Sequence, residues 1–596
     1  MSKTERAQKR LQQAIALHRS GDLVGAERLY RETLHLRADE GNALHLLGVV
    51  RAQKGDYQDA ITLIRRASEV RPPNAALLND LGMALAGAGR LSDATDAYSQ
   101  AIAMDRGFLP AYNNLGNARL ALGDANAAAE AYRQALALRP DYPDALGNLA
   151  AALNAQGLCE AALHHARTAL ALDPRFVEAR NSAGVALMRL GRIEEGIDEF
   201  HAVIAQRADY VEALSNLGNA LCALDYDEEA IAAHSRALEK RPGHMAALIG
   251  RASAYASLHR TAEAIAGLHA ALAIDSGSPE AHFELSLVLL RSGDLTTGWD
   301  EYEWRWRKSD FTSFSRNFAQ PQWGGSQAPT GSTILLHAEQ GLGDTIQFCR
   351  YASFVKARGA RVVLELQRPL ASLMCSLEGV DAVIARGDPL PDFDLHCPLL
   401  SLPRAAGTTL ETVPAMVPYL APPSEIATAW ARRLPDDTTW RVGLAWAGSP
   451  THKRDRVRSL SLSQLDGLFN VPGIRFYSLH HELGDEEAKR VAATPNLTQF
   501  GDELAGFDAT AALVAQLDLV ISVDTSLAHL AGALGRPLWV LLSHTPDWRW
   551  LLGRDDSPWY PSARLFRQRL PRAWDEVLTR IAGELRSLTA APPPRR

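Results

Sequence analysis

Residues 109–142 read LPAYNNLGNARLALGDANAAAEAYRQALALRPDY, and this stretch decides the architecture of half the chain. Two amphipathic segments flank the turn Leu122-Gly123-Asp124. The second segment ends at Pro140, where the missing N–H and the ring stop a helix. The same plan returns every 34 residues, with units starting at Ala7, Gly41, Ala75, Leu109, Pro143, Val177, Val211, Met245 and Pro279. Place eight of each unit holds Ala14, Gly48, Gly82, Gly116, Ala150, Gly184, Gly218, Ala252 or Ser286. Place twenty holds Ala26, Ala60, Ala94, Ala128, Ala162, Gly196, Ala230, Ala264 or Gly298. Small residues at both places let two helices approach closely. Aromatics at place twenty-four, such as Tyr98, Tyr132 and Phe200, fill the gap toward the next unit.

A period of this length with this pattern resembles the tetratricopeptide repeat, over about residues 7–312 in nine units. The resemblance implies an α-solenoid whose concave groove holds a peptide or protein. Asn114, Asn148 and Asn216 share place six, and Asn117 and Asn219 share place nine. An amide offers both a donor and an acceptor, so such a ladder suits the backbone of an extended peptide. It is similar to the asparagine ladder of the eukaryotic O-GlcNAc transferase. The competing reading is ordinary helix-surface polarity, and the residues leave both open. Trp299, Trp304 and Trp306 in the last unit read as packing where the superhelix joins the second half of the chain, rather than as a sugar platform.

Beyond a polar, turn-rich linker (313–332) the periodicity changes. Short apolar runs at 333–338, 361–366, 382–385 and 395–400 form one set of strand candidates. Runs at 441–446, 474–479, 519–523 and 538–542 form a second. Helical stretches lie between them, which predicts parallel sheets. The Pro-rich stretch 413–423 separates the sets, so the expectation is two Rossmann-like lobes of an α/β fold, at 333–425 and 438–588. A disordered tail is expected at 589–596.

Three loops come directly after predicted strands. Gly341 and Gly343 allow tight turning before Asp344, which sits at a helix start, where an N-cap is its commonest role. In residues 448–459 (GSPTHKRDRVRS) four basic residues lie within six positions, a candidate anion site that competes with plain solvated surface. Asp524, Thr525, Ser526, Leu527 and His529 open a helix, whose free N–H groups suit a phosphate. A merely capped helix with a core histidine is the alternative there.

Together these loops, the stretch 524–537 (DTSLAHLAGALGRP) and the later Asp547-Trp548-Arg549-Trp550 resemble heptosyltransferase-type glycosyltransferases. The closest likeness is to bacterial proteins that fuse such a domain to tetratricopeptide repeats. The resemblance implies a two-lobed GT-B fold and inverting transfer from a nucleotide-sugar without a bound metal or other cofactor. By position it implies that Asp344 takes the proton from the acceptor hydroxyl. Ser449 and Lys453 grip the donor phosphates, with Arg458 as a further ligand. Thr525, Ser526 and Leu527 form the backbone phosphate cradle, which Asp524, His529, Gly341 and Gly343 shape. The acceptor is expected to be a protein or peptide in the repeat groove, and a non-catalytic scaffold with a nucleotide-binding domain is the alternative. Asp392 and Asp394 spell the D-x-D of metal-dependent transferases, but they run straight into an apolar strand and read as structural.

Composition narrows the function classes. Apolar residues make up 47% and charged residues 22%, which excludes a disordered chain. A net charge of -7 argues against a nucleic-acid binder. Five scattered cysteines without C-x-x-C point to neither a disulfide framework nor a thiolate zinc site, and favour a reducing compartment. No apolar run suits a membrane span and no signal peptide is evident, so the expected location is the cytoplasm.

Overall fold

The computed structural model describes residues 2–309, 311, 316–327, 331–452 and 454–593. It divides into two compact units, residues 1–247 and 248–596. Among the described residues, eighteen α-helices run from Lys3 to Tyr302, paired as repeats. The first helices of eight repeats begin at Gly41, Ala75, Leu109, Pro143, Val177, Val211, Met245 and Pro279.

The turn inside each repeat passes through a left-handed residue at place fifteen. Glycine fills it six times in succession, from Gly21 (φ 85°) to Gly191 (φ 80°), where no Cβ penalty arises. Asp225 (φ 59°) and His259 (φ 60°) take the same conformation with a side chain attached.

Place eight is small for a specific reason. A β-carbon on Gly82 would lie 2.5 Å from Tyr98 Cε1, and one on Gly184 would lie 2.6 Å from Phe200 Cε1. In both cases the place-twenty-four ring lies against bare backbone. In the fifth repeat both sides change together, and Ala150 accompanies Ala166, each fully buried.

The second unit holds the end of the solenoid and two parallel sheets. The first sheet contains β1 (Thr333–His337), β2 (Arg361–Leu366), β3 (Ala382–Ala385) and β4 (Leu395–Pro398), in the order β3-β2-β1-β4. The second contains β5 (Trp440–Ala445), β6 (Ile474–Ser478), β7 (Leu497–Thr498), β8 (Leu519–Val523), β9 (Leu538–Leu542) and β10 (Ala563–Arg567). Its order, β10-β9-β8-β5-β6-β7, is that of a doubly wound dinucleotide-type sheet. Both sheets reverse their winding beside their first strand, between β1 and β4 and between β5 and β8. The central strands β1 and β8 are buried along their whole length, which explains their unbroken apolar text.

The repeats do not end at a free linker. The boundary between compact units falls at Ala247/Leu248 rather than near residue 312, because the last repeats pack into the α/β region. Trp299 is 2% exposed and meets Trp548 edge-on at 5.2 Å, while its Nε1 donates to Thr408 O at 3.2 Å. Trp304 stacks on His282 at 3.8 Å, and Trp306 meets Phe311 edge-on at 5.3 Å. All three tryptophans are packing elements. The described part of the expected linker is also held: Trp323 N donates to His396 O at 2.7 Å, and Arg316 Nη2 reaches Glu365 at 2.6 Å. The chain's end obeys the same rule, with Trp440 Nε1 donating to Ala591 O at 3.0 Å inside the stretch expected to be disordered. Residues 594–596 lie outside the described residues. Asp394 braces the first sheet, accepting from Thr333 N at 2.8 Å through Oδ2.

Candidate active site

The three candidate loops leave the carboxyl ends of β1, β5 and β8, the strands at the two switch points. This is where open α/β sheets bind ligands. The helix after β1 (Leu342–Phe348) packs against the helix after β8 (Ser526–Ala533), so the two lobes meet through their site-bearing elements. The contact runs through Gly343: a β-carbon there would lie 2.9 Å from His529 Cδ2 and 3.4 Å from Ser526 Cα. Glycine at this place therefore sets the approach of the first loop to the third.

Asp344 lies in the first turn of the first of these helices, at its third residue, and the N-cap position is Gly341 rather than Asp344. Its Oδ2 accepts from Gly341 N at 2.7 Å, closing the turn from within. Its Oδ1 accepts from Arg549 Nη2, a guanidinium from the opposite lobe. A carboxylate has about four lone-pair positions, so a hydroxyl proton still has somewhere to bind.

Arg549 is a hub. Its Nε donates to Gln347 Oε1 at 2.7 Å and its Nη1 to Asp547 Oδ1 at 2.8 Å, and its plane lies 4.2 Å over Trp548. Burial pushes the Asp547 carboxyl up, but Arg549's charge and hydrogen bonds more than offset this and hold it below the usual range. For Asp524, burial and the negative charge of Asp547 prevail, and its carboxyl is pushed up.

The second and third loops are tied together. Arg458 Nη1 donates to Asp524 O at 2.8 Å and its Nε to Asp455 Oδ1 at 3.3 Å. A β-carbon on Gly448 would collide with this guanidinium, so glycine there gives Arg458 its seat. Gly448 N donates to Ser459 Oγ at 2.9 Å. Ser449 is exposed and shares a hydrogen bond with Thr451 at 2.8 Å. Lys453 lies outside the described residues. The cap of the helix after β8 is Thr525, whose Oγ1 accepts from Leu527 N at 3.2 Å. That bond uses one of the amides expected to cradle phosphate and leaves Ser526 at the helix start.

His529 is a core histidine in its bonding. Its Nδ1 pairs with Tyr560 OH at 3.0 Å and its ring stacks on Trp550 at 5.6 Å. Burial, assisted by the charge of Arg549, lowers it to about 3, so it is neutral and shapes the site without charge.

The groove asparagines are also engaged. Nδ2 of Asn114 donates to Asn79 Oδ1 at 2.9 Å, that of Asn148 to Asn113 at 2.9 Å, and that of Asn216 to Asn181 at 3.1 Å. Each place-six amide thus staples its repeat to place five of the preceding one.

Sequence reasoning assigned no role to Arg549, Asp547 or Glu339. Asp547-Trp548-Arg549-Trp550 stood out only as a pattern, and its charges find their function across a fold-level distance. Glu339, just after β1, is buried against Arg305 from the last repeat, with Nη2–Oε1 at 3.0 Å. Arg305 also donates to Ser401 Oγ at 2.8 Å and Glu303 Oε1 at 2.7 Å. Burial raises Glu339 to about 7 against the opposing pull of Arg305.

Comparison with known proteins fits this architecture. Residues 476–580 match the model for glycosyltransferase family 9 (heptosyltransferase). Residues 39–107, 116–157 and segments from 155 to 279 match tetratricopeptide-repeat models. The chain thus carries tetratricopeptide repeats and a glycosyltransferase family 9 domain. It is similar to protein FlbA of Caulobacter vibrioides, with 30% identity over 348 residues, covering 53% of this chain and 57% of that one. Among solved structures it is similar to the Cut9–Hcn1 hetero-tetramer (20% identity, 46% of this chain and 55% of that chain, TM-score 0.38). It is also similar to a tetratricopeptide repeat protein from Parabacteroides merdae (17% identity, 42% of this chain and 98% of that chain, TM-score 0.37). No helix among the described residues is long and apolar enough to cross a membrane.

Proposed function

We propose that the protein transfers a sugar from a nucleotide-sugar to a hydroxyl of a protein or peptide held by the repeats, with inversion and without a metal. The observation that carries this reading is the meeting of the loops after β1 and β8 at the lobe contact, where Gly343 packs against Ser526 and His529 and Arg549 holds Asp344, with the loop after β5 tied to Asp524 by Arg458. The donor phosphates lie at the Ser526 helix start and the Gly448–Ser459 loop, where backbone amides and guanidinium groups favour anionic oxygen.

Asp344 accepts the proton as the acceptor oxygen attacks the anomeric carbon. The bond from that carbon to the donor phosphate breaks, and the nucleotide leaves with the electron pair. A placed base contributes about 10²–10⁴ in rate for so weak a nucleophile. Arg549 fixes the position of Asp344 by donating to its Oδ1. Five free thiols suit a reducing compartment, and we place the reaction in the cytoplasm.

A second reading, a scaffold with a nucleotide-binding domain, draws on one observation: both oxygens of Asp344 already have partners. Incubation of the full chain with a panel of nucleotide-sugars separates the two. Donor turnover with mass added to a co-purifying protein supports transfer, and donor binding without turnover in the presence of such proteins supports the scaffold.

A further inference from the structure

The loop after β9 is gripped by the repeats and by the basic loop at once. In the eighth repeat His259 stands at the left-handed turn position that glycine fills in most other repeats, a conformation that costs a side-chain-bearing residue energy. Its Nε2 lies 2.9 Å from His544 O, and its ring stacks on His544 at 4.5 Å. One residue on, Thr545 Oγ1 donates to Ser257 O at 3.0 Å. From the other side Arg454 of the basic loop donates through Nη2 to Thr545 O at 3.2 Å.

A second guanidinium reaches the same strip. Arg291, on the first helix of the ninth repeat (Pro279–Ser292), donates through Nη1 to Ala256 O at 3.4 Å, next to the carbonyl that Thr545 uses. Its Nε is buried and makes no hydrogen bond among the described residues. Neither Arg291 nor Arg454 forms an ion pair among the described residues. The nearby carboxylate, Asp547, is taken by Arg549. Arg291 is lowered to about 10, by burial first and then by repulsion from Arg454, with Asp547 opposing. Asp547 and Glu284 act on Arg291 through their charge, but neither makes an ion pair with it among the described residues, and two cations on one strip favour binding of an anion.

We propose that Arg291, supplied by the repeat domain, joins Arg454 in binding the phosphate of the nucleotide-sugar. This rests on the donor reading above and extends it: the donor site is built partly from the repeats. The solenoid then has a part in donor binding as well as in holding the acceptor.

The test is calorimetric titration of the full chain with nucleoside mono- and diphosphates and with inorganic pyrophosphate. The wild type is compared with Arg291→Met, Arg291→Lys and Arg454→Met, and with Arg192→Met as a control that removes the same charge from an exposed pair in another repeat. Loss of a charge-assisted bond to phosphate is expected to weaken Kd about tenfold or more in Arg291→Met and Arg454→Met. Arg291→Lys should recover part of this, and Arg192→Met should match the wild type. Binding by Arg291→Met within twofold of wild type overturns the assignment. Should that variant fail to fold, Arg454→Met, whose side chain is exposed, and Arg291→Lys decide: undiminished binding by both overturns it equally. A wild type that binds none of the nucleotides overturns the donor reading itself, a result distinct from equal binding by wild type and variant.

Discussion

Replacing Arg549 by Met removes one cation from contact with two carboxylates. Asp344 loses the partner of Oδ1, Asp547 loses a 2.8 Å ion pair, and Gln347 loses a 2.7 Å hydrogen bond. The Arg549 side chain is 9% exposed, so little water is at hand to replace these contacts. The Asp547 side chain is 35% exposed, so water screens part of the loss; removing the shared cation costs about 2–4 kcal/mol, and the lost stacking on Trp548 adds about 1 kcal/mol. The signature is in the pH dependence. In the wild type Asp547 is held below its unfolded value, so its contribution is present above about pH 4 and is lost as pH falls through the depressed value. In the variant burial acts on Asp547 without its main counter-charge, and its folded value rises above the unfolded one. Its contribution is then favourable only below about pH 4 and is lost as pH rises through the raised value. The difference between wild type and Arg549→Met should therefore be largest at pH 7–8 and shrink to about 1 kcal/mol near pH 4, where a protonated carboxyl needs no cation. Urea unfolding monitored through the buried Trp548, Trp550 and Trp559 at pH 7.5, 5 and 4 measures it. A difference that stays constant across this range refutes the electrostatic account of the hub.

Packing supplies further predictions. Gly184→Ala should loosen the sixth repeat by about 1–2 kcal/mol, since overpacking against Phe200 (about 1–3 kcal/mol) exceeds the gain of alanine over glycine in a helix (about 0.5–1 kcal/mol). Phe200→Ala alone should cost about 3–5 kcal/mol, but the double variant, imitating the Ala150/Ala166 repeat, should cost less than the sum. Hydrogen exchange in helices 177–189 and 193–206 reads both, and strict additivity would contradict the place-eight pairing. Arg305→Met should leave Glu339 buried without its main counter-charge and so lower the thermal midpoint more at pH 8 than at pH 5. An equal drop at both pH values would count against it.

The repeats were legible because their determinants are local: a helix pair declares itself by its period, its turn and its small residues. Eight strands were legible as apolar runs, the text of a strand buried on both faces, although β3 and β4 at the edges of the first sheet are only partly buried. The two that escaped are edge strands. Leu497–Thr498 is too short to show a pattern, and Ala563–Arg567 carries an exposed Arg564 among apolar neighbours. Candidate loops could be picked by glycine, charge and position after strands, but their bonding could not. Asp344 and Arg549 are 205 residues apart, and nothing local to either announces the other. The asparagines show the converse: their periodicity is a local signal, yet part of each amide is spent joining neighbouring repeats, a bonding that the spacing alone does not announce.

The most direct measurement concerns Asp344. The Asp344→Asn variant keeps the side chain's shape while removing its capacity to take a proton. Once an active nucleotide-sugar is found, initial rates of sugar transfer and the affinity for the nucleotide should be compared between wild type and variant. The account predicts transfer reduced about 10²–10⁴-fold with nucleotide affinity nearly unchanged. Transfer at the wild-type rate would contradict it.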